Sequence, residues 1–185
     1  MTVLRADAQR NLNRVLEAAT EAFAEHGADV SIDEIARRAG VGHATVFRRF
    51  PTKEALIAAV VLARVQAISE IAEAALERDD PGEAFRDFVW EVAELQACDK
   101  SLFEGVQSRC RDVPGVVEAS DKVRATVGRL VERAQKAGAV RCDVVAEDVP
   151  MLIASAINAA MQRPLSEPDL WRRYLGVVLD GLSPR

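Results

Sequence analysis

Residues 39–56 read AGVGHATVFRRFPTKEAL, with two glycines near the start, two arginines and a lysine, and no acid before Glu54. Val46 and Phe50 stand four apart, the separation that puts two side chains on one face of a helix. Gly40 ends whatever helix precedes it, Val41 anchors the turn, and Gly42 supplies flexible backbone before a short new helix. Pro51 closes that helix, because the residue before a proline is pushed out of helical geometry. The cationic character extends upstream: from Ile35 to Lys53 there are five basic residues (Arg37, Arg38, Arg48, Arg49, Lys53) and no acid. A local basic run on short helices is the electrostatic footprint expected opposite a polyanion.

Working upstream, Leu12, Val15, Leu16, Ala19 and Phe23 recur at helical spacing and give a first helix one buried stripe, ended near His26 and Gly27. His26 reads as a helix-end residue. Ser31-Ile32-Asp33-Glu34 then forms a capping box, the serine oxygen accepting from the Glu34 amide and the Glu34 carboxylate returning to the Ser31 amide. Ile32, Ile35, Ala36 and Ala39 make the inner face of a second helix, and small Ala36 and Ala39 allow close approach to the third. Two short helices about a glycine turn are the motif that lays its second helix in a DNA major groove. Left outward on that helix are Ala44, Thr45 and Arg48, with Phe47 and Arg49 at the flanks and His43 at its leading end. Free amides at a helix start suit phosphate, an arrangement that Lys53 repeats at the next helix. Asp33 and Glu34 are assigned to capping rather than to DNA. The same arginines would also serve as a solvated face in an ordinary bundle.

Downstream, Thr52 caps a long helix from Lys53 to about Arg78, and Asp79-Asp80-Pro81-Gly82 is the clearest break. Further helical patterns run at about 82–97, 100–111, 114–137, 146–162 and 167–182. There is no alternating strand pattern, internal repeat or low-complexity tract. The expectation is an all-α chain of about nine helices: an N-terminal three-helix helix-turn-helix domain over 1–52 and a helical domain over 53–185. The chain carries −5 overall, distributed as +1 over residues 1–53 and −6 over 54–185. No apolar run approaches the roughly 20 residues of a membrane helix, and no signal core is visible. Three scattered cysteines without metal spacing suit a reducing, cytoplasmic setting. No metal site and no cofactor is expected. His26 and His43 are the only histidines, neither a Ser-x-Gly elbow nor a phosphate loop occurs, and an enzyme is not expected.

Val30–Leu56, VSIDEIARRAGVGHATVFRRFPTKEAL, resembles the signature of the tetracycline-repressor (TetR) family of bacterial transcriptional regulators: a polar helix start, an IA..AGV core, a short recognition helix ending in an aromatic, and a K-E pair opening a long helix. The C-terminal WRRYLGVVLDGL (171–182) is similar to the last helix of many such proteins. The resemblance implies a ligand-responsive, dimeric, cytoplasmic repressor, released from a palindromic operator on double-stranded DNA by a small apolar or amphipathic molecule. It places Thr45 on the DNA backbone, Lys53 on phosphate, and His43 and Ala44 at base edges with Arg48 and Arg49 close by. Phe47 stands where the family usually has Tyr, leaving packing or a thymine methyl as its role.

The family also implies an effector pocket and a twofold interface. Phe88, Trp90, Phe103 and Cys110 offer apolar walls, and Gln66, Gln107, Asn158 and Gln162 offer hydrogen-bonding groups, for a mostly apolar site with few polar anchors. Ile153, Ile157 and Ala160 on one late helix, and Leu170, Trp171, Tyr174 and Val178 on the next, are the expected homodimer residues. A helical ligand-sequestering or protein-interaction module without DNA binding remains the alternative, permitted by the acidic balance of 54–185.

Overall fold

The structure, a computed structural model, describes residues 2–98, 110, 112–161 and 169–184. Among the described residues it contains eight α-helices and one 3-10 turn: α1 (Thr2–His26), the turn (Gly27–Asp29), α2 (Ile32–Ala39), α3 (His43–Arg49), α4 (Lys53–Leu76), α5 (Pro81–Cys98), α6 (Pro114–Lys136), α7 (Asp148–Met161) and α8 (Leu170–Gly181). The helix expected at 100–111 falls almost wholly outside the described residues. Helix α1 begins at Thr2, well ahead of Leu12, the first residue of the stripe read from the sequence. The chain divides into two compact units, one of residues 1–65 with 99–119 and one of 66–98 with 120–185.

In the first unit α1 packs on α2, and α2 on α3. The stripe residues Val15, Ala19 and Phe23 are buried, as are Ile35, Ala36 and Ala39 of α2 and Val46 and Phe50 of the α3 segment. The Ser31 side chain caps α2, its Oγ accepting from the Glu34 amide at 3.2 Å. The return bond of the expected capping box is absent among the described contacts. Glu34 instead turns forward: its carboxylate accepts from Arg37 at 2.6 and 2.9 Å and from Arg38 Nε at 2.8 Å. Charge-assisted bonds to two guanidinium groups outcompete one neutral amide. Arg38 also reaches Glu25 of α1 at 2.8 Å, so the cluster ties the end of α1 to α2.

The exit from α2 is built from backbone. Gly40 sits at φ 62°, ψ 36°. Its amide bonds Arg37 O at 3.2 Å, and the Val41 amide bonds Ala36 O at 3.1 Å. This pair of bonds is a Schellman motif, which needs a left-handed residue. Gly42 is different. At φ −67°, ψ 140° it adopts a conformation open to any residue, so the flexibility expected of it is not used. Thr52 Oγ1 caps α4 by accepting from the Ala55 amide at 3.1 Å.

Helix α4 begins in the first unit and ends in the second. By length and composition it could cross a membrane, with an 18-residue window of mean hydropathy 1.8, contrary to the expectation from the sequence. A third of that window is buried within the protein: along the helix Leu56, Ile57, Val60, Val61 and Val65 are buried in the first unit, Ala72 and Ala75 in the second. In the second unit α5 packs on α7 and α7 on α8 around Phe85, Phe88, Leu130, Ile153, Trp171 and Leu175. Asp80 Oδ1 caps α5, accepting from the Gly82 and Glu83 amides at 2.8 and 2.9 Å. Arg133 of α6 satisfies the carbonyls at the end of α4, donating to Leu76 O at 2.6 Å and to Arg78 O and Asp79 O.

Two stability outcomes follow from these local bonds. Gly40→Ala forces an L side chain into the left-handed region, where its Cβ would also meet Arg14 Nη2 at 2.5 Å. A loss of ~1–2 kcal/mol is expected in urea unfolding followed by circular dichroism. The second concerns Glu34, whose pKa the Arg37 and Arg38 hydrogen bonds lower from the ordinary 4.5 to about 2. A carboxylate with a depressed folded-state pKa adds stability above its unfolded value and loses it as pH falls through the folded one. Glu34→Gln should therefore be less stable than wild type above pH 4.5, and the two unfolding curves should converge as pH approaches 2.

Candidate nucleic-acid interface

Helix α3 has one face fixed by packing. Val46 and the following Phe50 point inward, so the helical repeat directs His43, Ala44, Phe47, Arg48 and Arg49 outward, and all five are exposed. Thr45 and Lys53 are half-buried at the edges of that face. The structure thus brings the seven residues singled out from the sequence onto α3 and the first turn of α4, all within the first unit. Phe47 is 51% exposed, a large apolar ring standing on a charged surface. It stacks against His43 one turn earlier, with ring centroids 5.9 Å apart and planes 26° from parallel.

The charges on this surface are not equivalent. Of the five cations in the acid-free run, Arg37 and Arg38 are bound to Glu34 and Glu25. These bonds raise the pKa of both guanidiniums and commit them to the protein. Among the described residues Arg48, Arg49 and Lys53 have no ion-pair partner. The free positive charge is therefore concentrated on the outer face of α3 and at the start of α4. This is the arrangement a duplex requires, because cations without internal partners are the ones able to displace counterions from phosphate.

Two features of this surface were not read from the sequence. Asp33, assigned to capping, makes no cap; its Oδ1 lies 3.4 Å from His43 Nε2, across the glycine turn. Spacing within one helix gives no sign of a pair formed between two helices. The second is an open cleft of about 820 Å³ between the first half of α1 and α3, lined by Gln9, Asn11, Leu12 and Val15 on one side and Thr45, Arg48, Arg49 and Phe50 on the other. Its α1 wall mixes polar Gln9 and Asn11 with Leu12 and Val15 of the apolar stripe.

The residues expected to line an effector site are only partly brought together. Phe88 is buried in the core of the second unit, and half-buried Trp90 lies beside Trp171 with ring centroids 6.2 Å apart. Asn158 is half-buried and Gln66 exposed in that same unit. Cys110 belongs to the first unit, where burial, and secondarily the Glu54 carboxylate, push its thiol pKa up. Phe103, Gln107 and Gln162 lie outside the described residues. The two cavities described in the second unit, about 220 and 280 Å³, are lined by other side chains, among them Phe85, Val140 and Leu179 in one and Arg141, Met151 and Leu152 in the other. Gln96, which the sequence reading passed over, is a buried amide on α5, 8% exposed. Its position amid apolar neighbours in sequence was the available signal.

The expected homodimer residues are largely turned inward. Ile153 (1% exposed), Ile157, Leu170 and Trp171 are buried within the protomer. Ala160, Tyr174 and Val178 are half-buried. The strongest stripe on each helix faces the protomer's own core. A weaker second stripe remains outside: Met151 (68%), Ser155 and Ala159 on α7, and Arg173, Val177 (67%) and Gly181 on α8.

Comparison with known proteins agrees with this geometry. Residues 15–60 match the family model described as "Bacterial regulatory proteins, tetR family", and residues 80–184 match "Transcriptional regulator SbtR-like, C-terminal domain". A TetR transcription regulatory protein from Mycobacterium vanbaalenii is 39% identical, with a TM-score of 0.71 over 98% of this chain and 99% of that one. A TetR transcriptional regulator from Streptomyces coelicolor is 28% identical, with a TM-score of 0.71 over 93% and 98%. An HTH-type transcriptional repressor of Mycobacterium tuberculosis is 43% identical over 74 residues, 35% of this chain and 39% of that protein. With both domain models matched and a solved relative aligned along nearly its whole length, the chain belongs to the TetR family of bacterial transcriptional regulators.

Proposed function

We propose that this protein is a homodimeric repressor that grips a palindromic operator with two copies of α3 and releases it when a small apolar or amphipathic molecule binds the second unit. The single observation that carries the DNA half of this reading is the outer face of α3. There Arg48 and Arg49 stand exposed without an acid partner among the described residues, while Val46 and Phe50 hold the helix from behind. In this reading Arg48, His43 and Ala44 meet base edges, Phe47 meets a thymine methyl, and Thr45, Arg49 and Lys53 meet the backbone. The sign of regulation follows the M. tuberculosis relative that is itself named a repressor. TetR-family regulators bind DNA and typically act as homodimers, and the exposed stripe of Met151, Ser155, Ala159, Val177 and Gly181 is the surface proposed for pairing. A twofold dimer would present its recognition helices about 34–36 Å apart, one turn of duplex.

Release by an effector requires that the ligand bind the two conformations of the second unit unequally. Phe88, Trp90, Asn158 and Gln66, with Gln162, are the second-unit residues proposed for that site. Buried Gln96 is added to them as a polar anchor.

Selection of bound duplexes from a random pool tests the reading as a whole. A recovered palindrome supports it, and retention of no duplex at low salt overturns it. With that operator in hand, Lys53→Ala should weaken all bound sequences alike and reduce the salt slope of log K by about 1. Arg48→Ala should instead relax one base position, removing ~1–3 kcal/mol of discrimination. Introducing charge on the exposed stripe with Met151→Glu and Val177→Glu should give monomers by sedimentation, with a helical signal like that of wild type and much weaker operator binding.

A further inference from the structure

The cleft between the first half of α1 and α3 lies wholly in the first unit and holds about 820 Å³, within the ~300–1,000 Å³ usual for small-molecule sites. Its lining divides by chemistry. The floor is apolar, with Leu12 and Val15 on α1 and Val46 and Phe50 on the α3 segment. The rim carries Arg48 and Arg49, both exposed and neither with an ion-pair partner among the described residues. The acid on the lining, Asp7, is paired with Arg10, which offsets its charge. We propose that this cleft binds an amphipathic anion, a linear alkyl chain ending in a carboxylate, and that this ligand and duplex DNA exclude each other. The site goes beyond the effector reading of the second unit. Only the exclusion rests on the reading that α3 enters the major groove.

A guanidinium presents a planar fork of N–H donors that fits a carboxylate, and both arginines open on one cleft. The Thr45 hydroxyl and the Asn11 amide stand on the same lining as neutral donors. Half-buried Leu12 leaves apolar surface for a tail to cover. Head and tail are both required. A small carboxylate makes only a surface ion pair, which water and salt weaken. An alcohol of the same chain length gains the tail contact but leaves both guanidiniums without an anion, and a cationic head is repelled by them. The exclusion follows from shared groups: a guanidinium closed on a carboxylate is withdrawn from phosphate and from base edges. Release by this route needs no movement of the second unit.

The test titrates the full chain, methyl-labelled at leucine and valine, with decanoate. Saturable shifts are expected at Leu12, Val15 and Val46, with Leu130 and Leu175 of the second unit unmoved. Decanol and decyltrimethylammonium should shift none of the cleft methyls, and hexanoate should bind at least ~10-fold more weakly than decanoate. Arg48→Ala combined with Arg49→Ala should weaken decanoate at least ~10-fold, with the helical signal of wild type. Ala8→Phe, at an exposed position on the lining, should weaken it likewise by filling the cleft. Decanoate that saturates the shifts should also displace a labelled duplex held at low salt. Absence of the cleft shifts, the same shifts with decanol, or a decanoate affinity untouched by the double arginine variant overturns the site. Saturated shifts with the duplex still held overturn the exclusion. Wild type that retains no duplex before decanoate is added fails the DNA reading instead, and the methyl shifts still decide the site.

Discussion

The rotational phase of α3 governs this protein, and that phase is set by the left-handed turn at Gly40 together with the burial of Val46 and Phe50. Each buried side chain contributes on the order of 1.5–3 kcal/mol relative to exposure. That is far more than any of the surface ion pairs nearby, which contribute about 0–1 kcal/mol. Apolar packing therefore decides which residues of α3 face outward, and charge decides only what they meet there. The exposed aromatic at Phe47 and the free guanidiniums of Arg48 and Arg49 are consequences of that priority.

Charge on the first unit is sorted by partner as well as by position. Glu34 and Glu25 hold Arg37 and Arg38 against the protein. The same carboxylates would repel a duplex if they stood alone. Pairing them with the nearest guanidiniums cancels both effects and leaves a smaller cationic surface at α3 and Lys53. This explains how a chain of net charge −5 can present a surface suited to a polyanion. The field near a site depends on unpaired local charge more than on the total.

Much of the architecture was legible in the sequence because it is written in local chemistry. The caps at Ser31 and Thr52, the break before Pro81 and the inward pair Val46 and Phe50 depend on residues within four positions of one another. Other features depend on partners distant in sequence, and no periodicity reports them. The Asp33–His43 contact crosses a turn, and the forward swing of Glu34 depends on competition between an amide and two guanidiniums. The burial of Ile153, Ile157 and Leu170 within the protomer escapes the sequence for a related reason. A stripe shows that a helix face is buried but not what buries it, and on α7 and α8 the larger stripe belongs to the protomer's own core.

The paired indoles have a spectroscopic consequence. Trp90 and Trp171 are the chain's only tryptophans, and both lie in the second unit, 6.2 Å apart, with the Arg172 guanidinium 4.6 Å over the Trp171 ring. Emission excited near the red edge of indole absorption thus arises from that unit alone and is blind to unfolding confined to α1–α3. Set beside circular dichroism, which sums over every helix, it separates the two halves of the molecule without a label. An altered spectrum at constant ellipticity would place a small molecule's effect in the half built on α5–α8.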